Sequence, residues 1–150
     1  MRKIVFAAIV GYTGEQTKDG RVLVAPESDG AGRQPLLHRP YPLPVVAFVD
    51  ARMQQVGMIE MAALCDRRII VFGHLDPREE FDHLVRSLDL GVYGLEMDLD
   101  AVEFEQDDDA LRLTSWRLAG ATVGIDACWD LPHVQIEIMQ LKIVEEKSSA

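Results

Sequence analysis

Two kinds of apolar pattern run along the chain. The segments Lys3–Val10 and Val56–Leu64 are almost continuously apolar, whereas Val92–Glu105 alternates with period two. Leu95, Met97 and Leu99 point one way there, and Glu96, Asp98 and Asp100 the other. Alternation predicts a strand with a wet, acidic face. Continuous runs of this length, bounded by turn formers, also predict strands. Short β-branched runs at Val22–Val24, Val45–Val49, Ile69–Phe72, Leu111–Leu118, Ala121–Ile125 and Val134–Val144 add further strands. Asp66-Arg67 divides Val56–Leu64 from Ile69–Phe72 as a hairpin turn would, and Gln106–Asp109 is expected to turn the chain into Leu111.

One segment follows the helical period. Phe81, Leu84, Val85 and Leu88 stand at i, i+3, i+4 and i+7. Asp76 is placed to cap the segment, Pro77 fits a first helical position, Glu79 completes a capping box and Gly91 can end it. This predicts a helix over about 77–90 with one buried face. Between Pro26 and Pro44 five prolines predict an irregular surface loop. Seven or eight strands and one helix fit a mainly β (α+β) fold: a closed or partly open antiparallel β-barrel with one external helix, since closure removes exposed edges. A single domain is expected over 1–144, with 145–150 a flexible tail.

Composition narrows the partners. With 150 residues the chain has room for one ordinary core. No stretch approaches the roughly 20 apolar residues of a membrane span, and the apolar run after Met1-Arg2-Lys3 is too short for a signal peptide. A net charge of −10 argues against nucleic acid as a partner. Cys65 and Cys128 sit in apolar contexts without metal-ligand spacing, which predicts buried free thiols.

Six segments, in order, carry a resemblance: Thr17-Lys18-Asp19-Gly20-Arg21, Tyr41-Pro42-Leu43-Pro44, Val56-Gly57-Met58-Ile59, Gly73-His74-Leu75-Asp76, Gly94-Leu95-Glu96-Met97-Asp98-Leu99-Asp100, and Trp116-Arg117-Leu118-Ala119-Gly120-Ala121-Thr122. Together they resemble the prohead, or capsid maturation, protease family of tailed phages, in the form found in phages of actinobacteria. The likeness covers about Phe6 to Val134. It implies a β-barrel of the prohead protease and assemblin type that acts as a Ser/His endopeptidase on the capsid. Carried over, the nucleophile's position falls on Glu96 and the histidine's near Asp50. A glutamate is already ionised and carries no nucleophilic hydroxyl, and none of Val49, Asp50 and Ala51 can both take and return a proton at neutral pH. The expectation is therefore a protease-like fold without catalytic residues.

Other chemistry is weaker. His38, His74, His83 and His133 stand beside no Ser or Cys at a familiar spacing, and Ser115 could face His133 across a sheet. Glu96, Asp98 and Asp100 could hold a hard cation only with help from another strand, because neighbours on one strand face stand about 7 Å apart; a solvated face is the plainer reading. No cofactor is expected. The resemblance implies a non-catalytic structural virion protein, a minor capsid or decoration protein. It would assemble in the host cytoplasm, bind the major capsid protein and form a homo-oligomer, with a trimer as the candidate state. The loop residues Pro35, Leu36, Leu37, His38, Arg39, Pro40 and Tyr41 are the candidate contact. Alternatives are an active maturation endopeptidase with a relocated nucleophile, and a transient assembly or scaffold factor.

Overall fold

The computed structural model describes residues 2–27, 36–124 and 134–140. Eight strands make one sheet: β1 (Arg2–Tyr12), β2 (Arg21–Leu23), β3 (Leu43–Val49), β4 (Arg52–Cys65), β5 (Arg68–Leu75), β6 (Gly94–Gln106), β7 (Leu111–Gly124) and β8 (Gln135–Gln140). Hydrogen-bonded neighbours run β8-β1-β5-β4-β3-β7-β6, with β2 also on β7. The sheet is mainly β and partly open, not closed.

Nor is it wholly antiparallel. One edge of β7 pairs with β6 along its length, and the other is shared. β2 runs parallel to Leu111–Leu113, His38 bridges Leu118, and β3 runs parallel to Ala121 and Thr122. The chain reaches β7's second edge through the loop between β2 and β3, a path that no local sequence pattern encodes. Leu111–Leu118 and Ala121–Ile125, read as two strands, form the single strand β7 through Gly120, with residue 125 outside the described residues.

Two hairpins turn on residue pairs with positive φ: Asp50 (52°) with Ala51 (63°), and Asp66 (50°) with Arg67 (66°). Positive φ at both central residues is the tight hairpin geometry that matches strand twist, and aspartate tolerates it better than most residues. Asp50 is thus a turn residue between β3 and β4. The helix is shorter than 77–90. A 3₁₀ turn over Glu79–Phe81 leads into α1 (Asp82–Asp89). Asp76 makes no helix cap; its Oδ1 instead accepts from the Arg78 N–H at 3.0 Å, two residues on. Gly91, at φ 75°, ends the helix. Phe81, Leu84, Val85 and Leu88 are all buried, as their spacing requires. The core they join is built from alternate positions such as Ile4 and Val10 on β1, Ile69 on β5, Leu95 on β6 and Leu118 on β7.

Candidate functional site

Glu96 lies on β6 opposite Thr122 of β7, which in turn lies beside Val46 of β3. Asp50 is four residues beyond Val46, in the turn just past the end of β3, about 13 Å away at strand rise. The two positions that the protease resemblance assigns to catalysis are therefore not brought together. The residue level with Glu96 on β3 is Val46.

The acidic stripe is engaged piece by piece. The Arg21 guanidinium lies 3.8 Å from the Glu96 carboxylate. Thr122 Oγ1 is 2.9 Å from each carboxylate oxygen of Asp98. Asp100 accepts from Arg117 at 2.7 and 3.1 Å and from Arg39. Burial lifts the Asp98 carboxyl above the ordinary carboxylate value; the Thr122 hydrogen bond opposes that lift and the Glu96 charge adds to it. Asp100 moves the other way, held low by the Arg117 hydrogen bonds and then by Arg39. Three outward carboxylates thus take three different sets of partners. Among the described residues no group of three or more His, Cys, Asp or Glu is disposed to hold a metal ion.

The candidate contact loop is strapped to the sheet. Pro35 lies outside the described residues, and Leu36 to Tyr41 follow. The Leu118 N–H donates to the Leu37 carbonyl and the Arg39 N–H to the Leu118 carbonyl, both at 2.9 Å. Arg39 reaches Asp100, His38 stacks on Tyr41 with ring centroids 4.2 Å apart, and the Tyr41 hydroxyl accepts from the Ala62 N–H at 2.8 Å. Leu37 and Tyr41 keep exposed surface.

The histidines sit apart. His83 on α1 meets Tyr93 edge-on, and His133 lies outside the described residues, as does its proposed partnership with Ser115. Cys65 is exposed at the end of β4, not buried as expected, because the β4–β5 turn at Asp66-Arg67 carries it clear of the core; Cys128 is outside the described residues. Among the described residues no helix is long and apolar enough to cross a membrane.

A feature missed in the sequence lies on the other half of the sheet. A bulge between Ile59 and Met61 inserts Glu60 into β4 and aims its carboxylate at His74 Nδ1, 2.8 Å away. At this point the two strands approach so closely that a Cβ on Gly73 would stand 1.9 Å from the Met58 carbonyl oxygen. Three cross-strand rows follow on the face turned away from the core. Glu137, Val5, His74 and Met58 form the first; Gln135, Ala7, Phe72 and Met61 the second; Ile9, Ile70 and Ala63 the third. Antiparallel sheets with one solvated face normally present polar residues there. Here the outward positions are mostly apolar, with Phe72 38 % and Met61 53 % exposed. The continuous apolar runs of β1 and β4 were the signal for this face. The bulge that creates the Glu60–His74 pair had none.

No protein-family model matches the chain, and comparison with curated proteins and with solved structures returned no match.

Proposed function

We propose that the chain is a non-catalytic binding protein, a structural component of a phage capsid shell of the minor capsid or decoration type. One observation carries the non-catalytic half: Glu96 stands level with Thr122 and Val46, and Asp50 serves a hairpin turn just past the end of β3, about 13 Å from Val46. A serine-type mechanism needs a hydroxyl and a titrating base within hydrogen-bond reach, and this row supplies neither at the inherited positions. The capsid setting rests on the six ordered segments that resemble the maturation proteases. Binding in place of cleavage is supported by the apolar outward face of β1, β5 and β4, since exposed apolar patches on soluble proteins mark contact surfaces.

The reading is tested on finished particles. Mass spectrometry is expected to find the chain in purified virions at a copy number stoichiometric with the shell. Presence in precursor shells only would assign it instead to transient assembly or scaffolding.

A second reading, an endopeptidase with a relocated nucleophile, has one observation in its favour: the Thr122 hydroxyl bonds Asp98 directly across from Glu96. A carboxylate is a poor base for a threonine hydroxyl, which is why this reading ranks second. Cleavage of the cognate capsid subunit by the purified chain, abolished by Thr122→Ala, would establish it.

A further inference from the structure

We infer that the outward face of β4, β5, β1 and β8 docks an extended segment of a partner protein that carries two basic side chains flanking an apolar one. The inference rests on the binding role proposed above and names the chemistry of the partner. A groove of about 610 Å³ crosses these strands. Its floor includes Val5, Ala7 and Phe72, and its two sides carry carboxylates, Glu60 on β4 and Glu137 on β8. Among the described residues no Lys or Arg lines it. Lys3 and Arg68 lie on β1 and β5 beyond the ends of the three rows, and Arg78 is paired with Asp76 at 2.9 Å.

Spacing selects the occupant. β4 and β8 are separated by β5 and β1, so three strand-to-strand steps set Glu60 and Glu137 about 14 Å apart. In an extended chain, residues i, i+2 and i+4 project to one side, and i to i+4 spans about 13 Å. A segment lying across the strands thus places basic side chains at i and i+4 over the two carboxylates. The apolar side chain at i+2 falls on Ala7 and Phe72. A purely apolar occupant would leave Glu137 desolvated without a counter-charge and Glu60 with only the His74 ring nitrogen beside it, which is costly; an acidic one would be repelled. An aromatic floor with charged sides is also the usual anatomy of a contact surface.

The probe is a pair of short fluorescent synthetic peptides, alike except that Lys flanks a central Leu at the two-residue spacing in one and Glu replaces both Lys in the other. Anisotropy titrations at low ionic strength are expected to show the Lys peptide binding the full chain about tenfold or more tighter than the Glu peptide. Phe72→Ser abolishes that binding, and Glu103→Gln on the opposite half of the sheet leaves it unchanged. The double reversal Glu60→Lys with Glu137→Lys, at exposed positions where folding is least at risk, is expected to invert the preference towards the Glu peptide. Three results would overturn the inference: equal or absent binding of the two peptides, no inversion in the double reversal, or sedimentation as a dimer that Phe72→Ser dissociates, which would make a second copy the occupant. The titration uses no capsid protein. Failure of the capsid reading alone would leave peptide binding intact, and failure of the groove alone would leave the chain in virions.

Discussion

The β1–β5–β4 half of the sheet and the β6–β7 ribbon are both long antiparallel pairings over one core, yet their outward faces are opposites. On β6 the outward side chains are Glu96, Asp98 and Asp100, each tied to a cation or hydroxyl from a neighbouring segment. On β1 and β5 the corresponding positions are Val5, Ala7, Ile9, Ile70 and Phe72. One face is finished by its own polar bonds. The other is mostly apolar and carries the Glu60–His74 bond at one end, and folding alone does not require apolar residues there. The difference shows internal bracing on the second half and supports the proposed binding role for the first.

The largest expected effect tests how tightly the first half is built. Gly73→Ala puts a methyl group 1.9 Å from the Met58 carbonyl oxygen, against backbone that cannot swing aside. Either the bulge at Glu60 opens or β5 separates from β4. Destabilisation of about 4 kcal/mol or more is expected, read as a loss of soluble folded protein or a collapse of the urea midpoint. Wild-type-like stability would mean that the close approach is not needed for the Glu60–His74 geometry.

Next comes the core that the halves share. Leu118 is fully buried on β7, where the strap from Leu37 to Arg39 crosses it. Leu118→Ala is expected to cost about 2 to 5 kcal/mol by equilibrium unfolding. A smaller loss would show that the strap and β6 collapse into the gap.

How far these halves could be read from the sequence follows from what is local. The helix face of Phe81, Leu84, Val85 and Leu88 and the two faces of β6 are periodicities within one segment, and they emerge in place. Asp50 shows the limit. The protease resemblance puts the histidine's position near it, although Asp-Ala between two apolar runs is the same hairpin chemistry that Asp66-Arg67 supplies. A turn signal competes there with the resemblance, and positive φ shows the turn. The parallel seating of β2 and β3 on one edge of β7, the bulge at Glu60, and the reach of Arg39 to Asp100 depend on residues about 14 to 90 positions apart, which no window-based pattern contains.

A smaller effect probes the bracing of the polar half. Asp100 holds Arg39 and Arg117, and its folded-state pKa lies below the ordinary carboxylate value. A depressed carboxylate pKa contributes stability that is present above the unfolded value and lost as pH falls through the folded one. Asp100→Asn should therefore loosen the strap at neutral pH, seen as faster chymotryptic cleavage after Leu37. The wild type should reach the same cleavage-prone state only in acid below the usual aspartate range, read there with an acid-active protease. Equal resistance in mutant and wild type at neutral pH would show that the backbone bonds to Leu118 hold the strap unaided.

Asp98 has the opposite sign. Its raised folded-state pKa means that stability is gained as pH falls through that value and lost as pH rises through it, because burial disfavours the charged form. At neutral pH Asp98→Asn removes the buried charge and keeps a partner for Thr122. A modest rise in Tm is expected, which disappears when the scan is repeated in acid. A fall in Tm at neutral pH would mean that the hydrogen bond to a full carboxylate outweighs its desolvation.

The smallest effect answers the first. Gly94 and Gly124 face each other at the start of the β6–β7 ribbon, and a Cβ on either meets nothing within 4 Å among the described residues. Neither has the positive φ that would strain an L-residue. Gly94→Ala then acts chiefly on the unfolded chain, which loses conformational freedom, so stability should rise by about 0.4 to 1 kcal/mol. The same methyl group is thus expected to unfold the molecule at Gly73 and to strengthen it at Gly94. If chemical denaturation instead shows Gly94→Ala to be destabilising, the open end of the ribbon is in contact with something in solution, and the division of labour between the two halves would have to be redrawn around that contact.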